Sequence, residues 1–169
     1  MKQIKKVAMA LVFVFALTQF AQAQSKMAHI NVTELLADMP DMKAAQAELK
    51  KLQETYRADI ESSMTELKNK YQQYSNEAES QSEEENQKRA QELQGFEKNI
   101  SDAQQAAQQE LAKKQAELFE PISIKAKAAI EKVAAAQGFD YVVDASPGLG
   151  VIVAKGKDLL GEVKQELGF

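Results

Sequence analysis

The chain has 169 residues, of which 44% are hydrophobic and 27% charged, with a formal net charge of −4, one histidine and no cysteine. A disulfide framework, a thiolate site and a lipidation cysteine are therefore all excluded. The acidic balance repels polyanions and no basic stripe interrupts it, so nucleic acid is not an expected partner.

Residues 1–23 read as a cleaved export signal. Lys2, Lys5 and Lys6 form a basic start, Val7 to Phe20 is almost wholly apolar, and Ala21-Gln22-Ala23 supplies the small residues of a cleavage site. The apolar run, roughly fourteen residues, is shorter than the twenty or so that a membrane span needs. Loss of Lys2, Lys5 and Lys6 from 21 basic residues, against 25 acidic ones, gives the mature chain a net charge of about −7.

Next comes Met27 to Val32, where apolar and polar residues alternate as in a strand with one buried face. Pro40 and Pro121 then bound a long segment with no proline and one glycine, Gly95. Its apolar residues recur at threes and fours, the period of long helices. The first stripe runs through Met42, Ala45, Leu49, Leu52, Tyr56, Ile60, Met64, Leu67, Tyr71, Tyr74 and Ala78. Two successive steps of four, Tyr56 to Ile60 to Met64, break the heptad and predict a loose seam. The stripe fades at Ser75-Asn76, and Ser82 with Glu85 three residues on fits a capping box, so one helix ends and another starts near 76–82. A return stripe through Leu93, Phe96, Ile100, Ala103, Ala107, Leu111 and Leu118 predicts an antiparallel partner. At about 1.5 Å per residue each arm extends on the order of 55–60 Å.

Pro121 predicts a kink or restart, followed by a last helical segment to Gln137 closed by Gly138. Phe139 to Asp144 and Leu149 to Val153 read as two strands of a hairpin around the turn Ser146-Pro147-Gly148, and Asp158 as the N-cap of a closing helix to Leu167. The expected class is α+β, mainly α. A discontinuous body, 24–40 with 122–169, carries a helical hairpin, 41–121. A body so small buries a marginal core, and association of several chains is the simplest remedy, with Ile30, Val32, Tyr141, Val143, Val151 and Val153 as candidates for the shared surface. These considerations do not choose between dimer and trimer.

Signs of chemistry are weak. His29 lies in a strand and suits a polar-face or interface role, while Glu83 to Glu85 lack the glycine turn and spacing of a calcium loop. Pro147-Gly148-Leu149-Gly150 lacks the lysine and helix of a phosphate cradle. No nucleophile with its base is apparent, and no enzyme, metal or cofactor is expected.

The order of elements, and above all the run from Ile130-Glu131-Lys132-Val133 through Gly138-Phe139-Asp140-Tyr141-Val142-Val143-Asp144-Ala145, resembles the Skp (OmpH-like) family of periplasmic chaperones. That resemblance implies a homotrimer with three helical hairpins around a cavity. It also implies that unfolded outer-membrane proteins are held there without ATP in transit to the outer membrane. Met64, Tyr71, Tyr74 and Phe96 are the candidate client contacts, set against their use in filling the arm seam. Well-known members are basic, whereas this chain is acidic, with Glu77, Glu79, Glu83, Glu84 and Glu85 at the expected tip. Binding of lipopolysaccharide or a membrane surface is therefore not carried over from the family. The alternative reading is a structural or adaptor coiled coil of the cell envelope.

Overall fold

The alternation Met27-Ala28-His29-Ile30 forms strand β1 (Met27–Ile30), which buries Ala28 and Ile30 and leaves Met27 exposed. The structure, a computed structural model, describes residues 25–169, and the expected export signal lies outside the described residues. After β1 come α1 (Val32–Asp38), α2 (Pro40–Glu77), a single 3₁₀ turn (Ala78–Ser80) and α3 (Glu83–Gln137). The chain closes with β2 (Tyr141–Asp144), β3 (Lys157–Asp158) and α4 (Leu160–Leu167). This is the mainly α, α+β arrangement with a helical hairpin that the sequence leads one to expect.

The sheet is smaller and differently connected than expected. Its order is β2-β1-β3 and both pairings are parallel, with Met27 opposite Tyr141, Ile30 opposite Asp144, and His29 opposite Asp158. The predicted hairpin of Phe139–Asp144 with Leu149–Val153 does not form, because β2 pairs with β1 and Leu149–Val153 forms no strand. Residues 151–155 take no regular structure, and Val151 and Val153 belong to no strand. The cause lies at the end of β2. Asp144 Oδ1 accepts from the backbone N–H of Ser146 at 2.9 Å and of Val32 at 3.3 Å, and lies 2.6 Å from Ser146 Oγ. Ala145 N–H donates to the Ile30 carbonyl at 2.8 Å. The chain is tied back to β1 at that point instead of reversing beside β2. The same carboxylate corrects the reading of Val32: taken as the end of the strand, it is the first residue of α1.

Pro121 also departs from expectation. No break occurs there, and α3 continues as helix from Glu83 to Gln137 with the proline inside. An interior proline costs about 3 kcal/mol or more. Burial of Ile122 and Ala126 just beyond it, and the Lys125–Asp41 ion pair at 2.7 Å, hold the helix on line. Its end is as predicted. Gly138 has φ +70°, Phe139 N–H donates to the Ala134 carbonyl at 3.0 Å and Gly138 N–H to that of Ala135 at 3.1 Å, the bond pair of a Schellman motif.

The described chain divides into two compact units, one reaching to Val32 and resuming over Ala129–Gly168, the other spanning Thr33–Ala128. In the first, Ala28 and Ile30 of β1, Val133 and Ala134 of α3, and Leu159 and Val163 at α4 form the core. Asp158 belongs to β3 and is not the N-cap expected: that position is Leu159, whose carbonyl accepts from Val163 N–H at 2.9 Å, while Asp158 Oδ1, one residue earlier, accepts from Leu160 N–H at 2.9 Å. Lys132–Glu166 and Lys157–Glu162 ion pairs flank the same helix.

Asp144 makes this unit sensitive to acid. Burial raises its pKa, but the hydrogen bonds from the Ser146 side chain, the Ser146 backbone and Val32 outweigh it and hold the carboxyl below its ordinary 3.8. With the folded value depressed, the stabilisation is present above the unfolded carboxylate range and is lost as pH falls through the folded value. Asp144→Ala is expected to cost about 1–2 kcal/mol at neutral pH, read as a lower urea midpoint at unchanged m-value.

The helical hairpin as candidate functional site

The Thr33–Ala128 unit is a two-helix hairpin whose seam changes character along its length. At its open end Met42 and Ala45 of α2 and Ile122 and Ala126 of α3 are buried. Two ion pairs cross between the helices there, Asp41–Lys125 at 2.7 Å and Glu48–Lys114 at 2.9 Å. The Glu48 carboxylate, as hydrogen-bond acceptor, raises the pKa of Lys114.

The turn end follows the predicted break. Ser82 Oγ accepts from Glu85 N–H at 3.2 Å, which is half of the capping box. The reciprocal half gives way to a pairing of Glu85 with Arg89 at 3.6 Å. Asn86 Nδ2 donates to the Ala78 carbonyl at 2.9 Å and ties the 3₁₀ turn to α3. The presumed acidic tip is thus partly neutralised, with Glu77 and Glu84 also paired, to Arg89 and Lys88 respectively, both at 2.9 Å.

Just inside the turn lies a polar and aromatic clasp. Glu92 accepts from Lys70 Nζ at 2.8 Å and from the Tyr74 hydroxyl at 2.7 Å, while the Tyr71 hydroxyl donates to Glu97 at 2.8 Å. The Arg89 guanidinium lies 4.6 Å from the Tyr74 ring centre and Lys70 Nζ 4.9 Å from that of Phe96, both within cation–π range. Three of the four candidate contacts, Tyr71, Tyr74 and Phe96, are therefore gathered here and already have partners. Met64 is apart from them and 53% exposed.

The clasp shifts its acceptors and its donors in opposite directions. Hydrogen bonds from Lys70 and Tyr74 hold Glu92 below the usual carboxylate value, and those from Gln73 and Arg89 do so for Glu77. In return Glu92 raises Lys70 and Tyr74, and Glu97 raises Tyr71.

Between these two clamped ends the seam is under-filled. Ala103, Ala106 and Ala107 of α3 lie across from Tyr56 and Ile60, and a cleft of about 480 Å³ opens among Tyr56, Ile60, Phe96, Ile100 and these alanines. Asp59, Ser63, Asn99 and Glu110 supply its polar lining. A smaller cleft of about 240 Å³ involves Tyr56, Ile60, Ala107 and Leu111 together with Arg57 and several glutamines. Both touch Ile60, the midpoint of the four-residue steps that loosen the heptad. The paired signal, a stutter facing a run of alanines, was in the sequence, but only the cross-helix register shows that the two coincide.

No metal-binding cluster of His, Cys, Asp or Glu occurs among the described residues, and none of their helices is long and apolar enough to cross a membrane. His29 sits half-buried in the central strand.

A long helical hairpin joined to a small parallel sheet defines the structural class. The family model "Outer membrane protein (OmpH-like)" matches residues 26–167, and the chain belongs to that OmpH-like (Skp) family. Among solved structures, the crystal structure of a proposed outer membrane chaperone (OmpH-like) from Caulobacter crescentus CB15 is similar in fold. It has a TM-score of 0.74 at 17% identity and covers 87% of this chain and 86% of its own. A comparison with curated proteins finds no match.

The clasp predicts a local pH response. With Glu77 and Glu92 depressed, its stabilisation holds above the ordinary carboxylate value of 4.5 and is lost as pH falls through their folded values. With Tyr71 and Tyr74 raised, the alkaline limit lies above the ordinary tyrosine value of 10.0. Glu92→Gln is expected to speed amide exchange around residues 70–97 at neutral pH while leaving the Met42–Ala45 end unchanged, measured by hydrogen–deuterium exchange.

Proposed function

We propose that the protein is an ATP-independent periplasmic holdase that binds unfolded outer-membrane proteins between helical arms and keeps them from aggregating in transit. The observation that carries this reading is an arm clamped at both ends with apolar walls left open between, in a chain of the OmpH-like family. An unfolded barrel exposes strands that pair with one another, and many weak apolar contacts suffice to shield them. No catalytic step or cofactor enters this function. Met64, exposed beyond the clasp, is the client contact among the four candidates with the freest side chain, whereas Tyr71, Tyr74 and Phe96 also set the shape of the arm.

The reading includes a homotrimer. Leu149, Ile152 and Val153 are 62%, 96% and 68% exposed, and Tyr141 is 60% exposed on the edge strand β2, an apolar surface suited to association of copies. Ile30 is already buried in its own chain's core, and Val32, Val143 and Val151 are half-buried. The acidic charge favours apolar selection of clients over attraction to lipopolysaccharide or anionic lipid.

Refolding a denatured outer-membrane barrel with three chains of the protein per client is expected to suppress aggregation; unchanged turbidity would favour the adaptor reading. Client affinity is expected to fall less than about tenfold from low to moderate salt. Native mass spectrometry is expected to give a three-chain mass, shifted toward single chains by Ile152→Asp together with Val153→Asp.

A further inference from the structure

We propose that the mid-arm cleft is a side-chain pocket selecting unfolded segments in which a large apolar residue is flanked by lysine or arginine. This rests on the holdase reading and names the segments that one arm prefers. At about 480 Å³ the cleft is within the range of sites that enclose small organic groups, and its floor is apolar. Tyr56 and Ile60 on α2 face Ile100, Ala103 and Ala107 on α3, so the wall opposite the larger side chains consists mainly of methyl groups. A leucine or phenylalanine side chain supplies the volume that the alanines leave empty, and it gains the dispersion contacts that an unfilled seam lacks.

Charge identifies what flanks that side chain. The charged residues lining the cleft are Asp59 on one helix and Glu110 on the other, both acidic and both exposed. The ion pairs that cross between the helices lie to either side, at Glu48–Lys114 and Lys70–Glu92, and among the described residues neither Asp59 nor Glu110 joins an ion pair. Toward the two ends of the hairpin, Glu48, Glu77 and Glu92 are each matched by a lysine or arginine of the opposite helix, and Arg57 lines the smaller adjoining cleft that shares Tyr56, Ile60 and Ala107. At the cleft the two negative charges are left for an incoming cation. A basic residue beside the inserted apolar one meets them, and an acidic residue there is repelled.

The test uses the full mature protein and three fluorescein-labelled unfolded peptides read by anisotropy at low salt. One carries phenylalanine between lysines, the second has glutamates in place of the lysines, and the third has serine in place of the phenylalanine. The lysine-flanked phenylalanine peptide is expected to bind at least about fivefold more tightly than either of the others. Asp59→Asn combined with Glu110→Gln is expected to bring the lysine and glutamate peptides to within about twofold of each other. Ala103→Leu, at an exposed helical position, is expected to fill the pocket and weaken the preferred peptide at least about fivefold, with helicity checked by circular dichroism. Equal affinity for the lysine and glutamate peptides, a preference that survives the double substitution, or unaltered binding by a folded Ala103→Leu variant overturns the pocket. The aggregation assay separates the two readings. Suppression without peptide preference removes the pocket and leaves the holdase. Absence of suppression removes the holdase, and the peptide ratios still decide the pocket.

Discussion

A four-residue strand flanked on both edges by parallel partners sets the constraint on which the rest of this protein depends. β1 near the start of the described chain pairs with β2 and β3, both from its last thirty or so residues. Parallel pairing requires a crossover, and here the crossover is the whole helical hairpin. The small sheet thereby closes a loop of more than a hundred residues, whose entropic cost grows only slowly with length. Asp144 sits at the junction where β2 ends, the chain turns back and α1 begins, so one carboxylate ties the turn after β2 to the start of α1, 112 residues away in sequence.

The hairpin shows a division of labour along one seam. Buried methionine and alanine with crossing ion pairs fix the open end, and a clasp of aromatic rings and charges fixes the turn end. In the middle, alanines opposite a stutter leave apolar surface that the two helices do not bury against each other. Exposed ion pairs contribute little individually, and those that cross the hairpin lie to either side of the unfilled stretch. A helix pair tight throughout would be more stable and would offer less to an unfolded chain.

Electrostatics on the arm is more local than its net charge suggests. The glutamates near the turn look in the sequence like a solvated acidic tip, yet Arg89 alone meets two of them and Lys88 a third. Among the described residues Glu79 and Glu83 at the turn, and Asp59 and Glu110 beside the cleft, join no ion pair. Membership of the OmpH-like family does not fix the charge of the arms, because helix pairing depends on the apolar stripe while charge rides on the solvent faces.

Helix, turn and cap positions were legible in the sequence because each rests on local physics. The three- and four-residue periodicity, the break before Ser82 and the glycine at 138 all act within a few residues. What failed were readings that needed a distant partner. Leu149 to Val153 has the composition of a strand, but the ties at Asp144 and Ala145 direct the chain elsewhere and leave Ile152 almost fully exposed. Pro121 has the chemistry of a helix breaker, but burial of its neighbours outweighs one missing hydrogen bond. Tyr71, Tyr74 and Phe96 could be named as aromatic candidates, but not as members of one clasp. The sequence by itself determined that long helices form and where they end, since those are short-range matters; only the tertiary structure decided the parallel sheet, the continuity through Pro121 and the place where the seam stays open, since each depends on residues brought together from far along the chain.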